Sequence, residues 1–143
     1  MKPRVHVITL AVEDLERSLS FYRSLGLESE GIIASEFLGD EEMAAGAIAL
    51  FQLEGLMMCV FPRSELAKDA KVPLPAPTSG LFSIGHAVGS REEVDALLEV
   101  AEAAGATVTV KAYDRPFGVY SGYFKDPDGH LWEILWNPAL EDV

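Results

Sequence analysis

The chain has 143 residues, of which 23 are acidic and 11 are basic, so its formal charge is −12 at pH 7. This charge repels phosphate backbones and anionic lipid headgroups, which argues against nucleic acids and membrane surfaces as partners. With 49% hydrophobic residues, the chain can bury a sizeable core, and we expect one compact domain over residues 1–143. The single cysteine, Cys59, and the lack of a recognisable leader or membrane span predict a cytoplasmic protein.

The first half of the chain reads as a strand, a helix and three strands. Residues 5–12 are rich in β-branched side chains, and Asp14 can cap a helix that Gly26 ends. Further strands are predicted at 27–35, 47–53 and 56–61, with an acidic loop at 36–46 between the first two. A proline-rich connection at 63–80, which contains a short helix at SELAKDA, then leads to the second half.

The second half repeats the same order. A strand at 81–88 is followed by Ser90 and Glu93, a capping box for a helix that Gly105 ends. Strands are predicted at 107–113, 119–124 and 130–136, and the turn DPDG joins the last two. The chain is therefore predicted to be an internal duplication, with one module at about 4–62 and the other at about 81–138.

Two stretches, ITLAVEDLERSLSFYRSLGL near the start and GYFKDPDGHLWEILWNP near the end, resemble signatures of the vicinal oxygen chelate superfamily. That superfamily includes glyoxalases, bleomycin resistance proteins and extradiol dioxygenases. The resemblance implies an α+β fold in which two tandem βαβββ modules form a curved mixed-sheet cup around one small-molecule cavity. It also implies a homodimer, and the segment at residues 73–77 permits modules to pair within a chain or between chains.

Metal-dependent members of that superfamily place one ligand on the first strand and one on the last strand of each module. The matching positions in this sequence are Val7, Cys59, Ser83 and Glu133. Only Glu133 is a usual ligand there, whereas a divalent ion needs three or four donors. We therefore expect no metal and no other cofactor, and the alternative is Zn, Ni, Mn or Fe at a rearranged site.

The three histidines are not expected to restore a metal site. Because side chains alternate along a strand, His6 and His86 should point away from the cup as partly buried structural residues. His130 follows the glycine of the last turn, where a surface position is expected.

The residues predicted to line the cavity combine apolar walls with a few polar groups. They are Val7, Thr9, Met57, Cys59, Ser83, Gly85 and Glu133. Glu133 is a candidate general base, with a purely structural hydrogen bond to a neighbouring strand as the alternative. Cys59 is interpreted as a packed core residue, because its sequence neighbours provide no cation and burial raises a thiol pKa.

The segment YDRPFGVYSGYF is predicted to border the cavity mouth, and it contributes Arg115, Tyr120 and Tyr123 to the candidate site. Arg115 could hold an anionic ligand while an aromatic ring stacks on a planar one. The alternative is ordinary strand and turn packing with a solvated Arg115. Trp132 and Trp136 alternate with Glu133 and are expected under a helix.

These observations favour a metal-free protein that sequesters or senses a small organic ligand. The first alternative is an enzyme, either a glyoxalase-like lyase or isomerase or a dioxygenase-type enzyme, which uses Glu133 as a base or a rearranged metal site. The second alternative is a protein-interaction module, since no feature of the sequence identifies a substrate.

Overall fold

The computed structural model describes residues 1–34, 46–74 and 81–140, and the chain divides into two compact units, Met1–Ala76 and Pro77–Val143. Each unit contains one four-stranded mixed sheet, which confirms the predicted α+β fold with a duplicated βαβββ order. The first unit holds β1 (Val7–Val12), α1 (Leu15–Ser24), β2 (Ile32–Ile33), β3 (Ile48–Leu53), β4 (Leu56–Pro62) and α2 (Arg63–Ala70). The second holds β5 (Ile84–Ala87), α3 (Arg91–Ala103), β6 (Thr107–Asp114), β7 (Tyr120–Lys125) and β8 (Leu131–Trp136). None of the described helices combines the length and the hydrophobicity needed to cross a membrane.

The first sheet has the strand order β1-β4-β3-β2, and among the residues that the structure describes its one parallel pair is β1 with β4. Asp14 caps α1 as predicted, and its carboxylate accepts a hydrogen bond from the Arg17 backbone N at 3.0 Å. The helix covers one face of the sheet, where the Tyr22 and Phe51 rings meet edge to face at 5.7 Å. Leu10 is buried on this sheet while Thr9 is exposed, so the alternation assumed for β1 is confirmed.

The second sheet has the matching order β5-β8-β7-β6, with β5 parallel to β8. Ser90 caps α3 by accepting a hydrogen bond from the Glu93 backbone N at 3.2 Å. The Glu93 carboxylate accepts from the Gly89 backbone N at 2.7 Å, one residue earlier than in the predicted capping box. The ring of Trp132 is buried and stacks on Phe124 with a centroid distance of 6.1 Å, as expected for a side chain under a helix.

A glycine on β7 allows α3 to lie close to the second sheet. A Cβ atom added at Gly122 would lie 2.7 Å from Leu98 Cδ1 and 2.8 Å from both Ala112 N and Val110 O. Only a residue without a side chain fits this space. Since side chains alternate along a strand, the neighbours of Gly122 face the side of the sheet opposite α3.

Two predicted strands are shorter in the structure. Of the strand predicted at 27–35, only Ile32–Ile33 pairs, because Arg23 Nη2 donates to the Ser29 carbonyl at 2.8 Å and Gly31 has a φ of +107°. These features keep residues 29–31 out of the strand. The strand predicted at 81–88 begins at Ile84, where pairing with β8 starts. Ser35, most of the predicted acidic loop and residues 75–80 of the proline-rich connection lie outside the described residues.

Candidate functional site

One face of the second sheet brings three of the predicted site residues together. In the strand register, Gly85 on β5 lies beside Glu133 on β8, and Glu133 lies beside Tyr123 on β7. These residues alternate with side chains on the α3 face, including the buried Ile134. The three positions therefore form a continuous row on the face opposite α3.

Tyr123 and Glu133 interact directly through their side chains. The Tyr123 hydroxyl donates a hydrogen bond to the Glu133 carboxylate. Burial raises the pKa of Tyr123, the charge of Glu133 and this hydrogen bond raise it further, and the nearby Arg115 opposes the change. Tyr123 thus remains a protonated hydrogen-bond donor over the physiological pH range. Glu133 therefore interacts with the neighbouring strand β7, as its structural alternative would have it, and its role as a general base stays a prediction.

Arg115 lies against two tyrosine rings and is half-buried. Its guanidinium carbon is 3.9 Å from the centroid of the Tyr113 ring and 5.5 Å from that of Tyr123, both cation–π distances. Its backbone N donates to the Val119 carbonyl at 2.6 Å, which closes the turn Pro116–Gly118. The interpretation of Arg115 as a simply solvated side chain is therefore wrong, because aromatic contacts fix its position.

We call Tyr113, Arg115, Tyr123 and Glu133 the Arg115 cluster. It combines one fixed cation, two aromatic rings and one carboxylate on a single face of a sheet. Beside it, a Cβ atom added at Gly85 would meet only Leu135 Cδ2, at 3.7 Å, among the described residues, so the surface next to Glu133 is open. Polar groups held beside open apolar surface are typical of sites that orient small molecules.

Tyr120 does not belong to this cluster. Its hydroxyl donates to Asp95 Oδ1 on α3 at 2.9 Å, and the guanidinium carbon of Arg91 lies 5.0 Å from its ring centroid. The alternation of β7 turns it toward the helix and away from the other predicted ligand-binding residues, and its role in binding stays a prediction. Trp136, its partner on β8, also contacts Arg91, at 5.3 Å.

Ser83, which was assigned to the same face as Gly85, precedes β5 and is exposed. The structure describes no contact between Ser83 and the Arg115 cluster.

Four predicted site residues share one face of the first sheet. Val7 pairs with Met57, and Thr9 pairs with Cys59. Cys59 is only 4% exposed, and burial raises its pKa, while a side-chain hydrogen bond with Thr9 opposes this increase. A thiol in this environment is a poor nucleophile, which supports its interpretation as a packed core residue.

The residues at the superfamily's metal positions do not fit a divalent ion. Val7 has no donor atom, the Cys59 thiol is buried beside Thr9, and Glu133 is engaged by Tyr123. Within residues 1–34, 46–74 and 81–140, no group of three or more His, Cys, Asp or Glu side chains is arranged to hold a metal. One carboxylate alone does not provide the ligand number that such a site requires.

The histidines differ from expectation in their burial. His6 and His86 are both exposed, whereas partial burial was expected. The reason is that His86 lies on β5, an edge strand of the second sheet, and His6 directly precedes β1, an edge strand of the first sheet. His86 pairs with the buried Ile134, so it lies on the α3 face, opposite Glu133, as predicted. The backbone N of His130 donates to Asp126 Oδ1 at 2.8 Å within the last turn.

Two residues on the Glu133 face of the second sheet, Tyr113 and Ser121, were not predicted as site residues from the sequence. Tyr113 pairs with Ser121 across β6 and β7, and Ser121 is fully buried. The signal for Ser121 was its position two residues before Tyr123, which places both on one face. Tyr113 was recognised as part of an aromatic segment but was not assigned a role, because the irregular pairing of β6 hides its orientation from the sequence.

A depression of about 370 Å³ also lies between α3 and β6, on the other side of the second sheet. It is lined by acidic side chains, among them Asp95, Glu99 and Glu102, around Lys111. It contains none of the residues predicted for the site.

Comparison with known proteins places the chain in a family. The sequence model of the Glyoxalase/Bleomycin resistance protein/Dioxygenase superfamily matches residues 4–134. A glyoxalase-related enzyme from Fulvimarina pelagi is 32% identical with a TM-score of 0.80, over 99% of this chain and 93% of that one. Two further structures share the fold at 23% identity: a lactoylglutathione lyase from Agrobacterium tumefaciens and a fosfomycin resistance protein from Listeria monocytogenes. The lyase has a TM-score of 0.66, and its match covers 99% of this chain and 100% of that one. The fosfomycin resistance protein has a TM-score of 0.68, and its match covers 97% of each chain.

No curated protein matches the chain at a significant level. The family assignment therefore depends on the superfamily match and on the related structures, which agree with the two βαβββ units described above. The chain belongs to the Glyoxalase/Bleomycin resistance protein/Dioxygenase superfamily.

Proposed function

We propose that this protein binds a small organic molecule without a metal, and that it sequesters or senses that ligand. The observation that carries the proposal is the Arg115 cluster, in which a guanidinium, two phenol rings and a carboxylate lie together on the open face of the second sheet. Such a set can recognise a ligand by charge, by stacking and by hydrogen bonding. The misfit of the metal-position residues supports a mode of binding that depends on side chains alone.

In this proposal, each member of the cluster has a separate role. Arg115 supplies the positive charge of the cluster. Tyr113 is 50% exposed and offers a ring face to a planar ligand. Tyr123 and Glu133 form a donor–acceptor pair beside the gap at Gly85, so the pair can exchange its internal hydrogen bond for bonds to the ligand.

A thermal-shift screen of metabolites and antibiotics against the metal-stripped protein tests this proposal. Ligands that bind the native state should raise its apparent melting temperature, by an amount that grows with concentration. Arg115→Ala should abolish the shifts, whereas Arg23→Ala on α1 should leave them unchanged. A screen in which no compound acts would refute the proposal and favour a protein-interaction module.

Metal content provides the second test. The purified protein should lose Zn, Ni, Mn and Fe on dialysis and still bind its ligands. Retention of about one equivalent of metal that is lost in Glu133→Ala would instead establish a rearranged metal site.

A metal-independent lyase or isomerase is the second candidate, and the hydrogen bond between Tyr123 and Glu133 favours it. In this arrangement the carboxylate can take a proton from a ligand while the phenol donates to the developing oxygen. Compounds found to bind should be incubated with the protein and followed by proton NMR. Turnover that disappears in Glu133→Gln while binding is retained would establish the base, and unchanged turnover would remove this candidate.

The family resemblance also leads us to propose a homodimer. Multi-angle light scattering should give a mass near twice the 15.5 kDa of one chain, and a mass of one chain would refute it.

A further inference from the structure

Two buried polar atoms of the second unit have no hydrogen-bond partner among the described residues. They are Arg115 Nε and Ser121 Oγ. Buried polar groups in folded proteins are almost always paired, because leaving one without a partner sacrifices the hydrogen bonds that it made with water. Two such atoms close together call for a physical reason.

The two side chains are neighbours. Arg115 Nη2 donates to the backbone carbonyl of Ser121 at 3.4 Å, which places the guanidinium beside that residue. Ser121 lies on the same face of β7 as Tyr123, since the residue between them, Gly122, packs against Leu98 of α3. The unpaired atoms therefore lie on the face of the Arg115 cluster and not in the helix-covered core.

The chemistry of these atoms specifies what they can bind. An arginine Nε carries a hydrogen that it can only donate, and a serine hydroxyl is able to donate as well. The Tyr113 ring covers one face of the guanidinium at 3.9 Å, so a polar partner approaches in the plane of the group. In that plane, the edge of the guanidinium matches the two oxygens of a carboxylate.

We infer that Arg115 and Ser121 form a subsite for the carboxylate of a planar monocarboxylic acid. Arg115 Nε and the Ser121 hydroxyl donate to the carboxylate, and the remainder of the ligand lies along the ring of Tyr113. This inference depends on the proposed small-molecule function and adds the chemical class of the ligand.

The charge distribution favours a single negative charge on the ligand. The chain carries a formal charge of −12, and Glu133 lies beside Tyr123, so additional anionic groups would be repelled. Tyr113 is 50% exposed, so its ring is accessible to an incoming ligand.

The test uses pairs of compounds that differ only in charge. Benzoate with benzamide, and 2-naphthoate with 2-naphthamide, are titrated into ¹⁵N-labelled protein while the arginine Nε–H resonances are observed by NMR. The carboxylates should shift the Arg115 Nε–H resonance and bind at least tenfold more tightly than the matching amides. Binding of the carboxylates should weaken at least tenfold in Arg115→Lys and about three- to tenfold in Ser121→Ala.

Arg23→Lys is the matched control, because Arg23 also donates Nη2 to a serine carbonyl, that of Ser29 at 2.8 Å, but lies in the first unit. It should leave carboxylate binding unchanged. Ser121→Ala provides a second readout in the absence of ligand. The hydroxyl that this substitution removes has no hydrogen-bond partner among the described residues, so the melting temperature should stay the same or rise. If the hydroxyl instead made a structural hydrogen bond, its removal would lower the melting temperature.

The outcomes separate this inference from the proposed function. If amides and carboxylates bind equally while the Tyr123 resonances respond, the carboxylate subsite is refuted and small-molecule binding stands. If carboxylates bind but the Arg115 Nε–H resonance does not move, the subsite is also refuted. If none of the four compounds perturbs the cluster, the subsite is refuted, and the wider ligand screen then decides the proposed function by itself.

Discussion

Replacement of Gly122 by alanine tests how the second sheet positions the Arg115 cluster. The added methyl group would lie 2.7 Å from Leu98 Cδ1 and 2.8 Å from two backbone atoms, Ala112 N and Val110 O. Ordinary contacts between carbon atoms are about 3.5 to 4.0 Å, so each neighbour must move by roughly 1 Å. The Leu98 side chain can rotate, but the backbone of β6 can move only by disturbing its pairing with β7.

Overpacking of this kind costs about 1–3 kcal/mol, while a glycine-to-alanine change at a compatible position recovers about 0.4–1 kcal/mol from the unfolded chain. We therefore expect Gly122→Ala to lower the free energy of unfolding by about 1–2 kcal/mol. For a chain of this size, that loss corresponds to a decrease of about 3–7 °C in melting temperature. Differential scanning calorimetry and urea denaturation followed by circular dichroism should give the same result.

Gly85→Ala is the matched control in the same sheet. The new methyl group would meet only Leu135 Cδ2, at 3.7 Å, among the described residues, and Gly85 has no positive φ. Its stability should be unchanged or raised by about 0.5 kcal/mol. Equal melting temperatures for the two variants would refute the packing of α3 against β7 described here, and with it the basis for placing Ser121 and Tyr123 on the opposite face.

Three further predictions follow from the contacts of single residues. Ser90→Ala should lower the free energy of unfolding by about 1 kcal/mol in urea denaturation, because it removes the cap on the Glu93 backbone N; an unchanged midpoint would contradict this. Cys59 should react with a thiol reagent much more slowly in the native protein than in urea, because burial raises its pKa, and equal rates would refute its burial. The raised pKa of Tyr123 contributes stability that is complete below the ordinary tyrosine pKa near 10 and is lost as the pH rises through the folded-state value. As the pH rises into the alkaline range, the free energy of unfolding should therefore fall less in Tyr123→Phe than in the unsubstituted protein. Equal slopes of unfolding free energy against pH for the two proteins would argue against this.

Much of the fold could be predicted because local signals agreed with the hydrophobic pattern. Asp14 and Ser90 mark both main helix starts, and the glycines after α1 and α3 have φ values of +98° and +115°. Alternation along β1 and β8 correctly separated the core side from the open side. The strand at 27–35 was predicted too long because the contacts that interrupt it, such as Arg23 with Ser29, are tertiary and leave no local pattern.

The candidate site was harder to predict than the fold. Glu133 and Gly85 were placed on one face by alternation, which holds on β5 and β8. Tyr123 was assigned to the site through its aromatic segment, and the register of β7 places it beside Glu133. Tyr120 was grouped with neighbouring aromatic residues and not assigned by its parity on β7, which turns it toward α3. The irregular register of β6 concealed Tyr113, and the unpaired hydroxyl of Ser121 is visible only once its surroundings are known.

The Arg115 cluster changes what the shared fold can recognise. In a metal site, a bound cation attracts the oxygen atoms of the ligand and carboxylates hold that cation. In this chain, the one matching carboxylate, Glu133, is engaged by Tyr123, and the positive charge belongs to Arg115. A guanidinium cannot act as a Lewis acid, but it can orient an anionic group through its planar edge. Under the proposed function, this sheet selects a ligand by charge and shape, and the Tyr123 and Glu133 pair is placed to exchange a proton with that ligand.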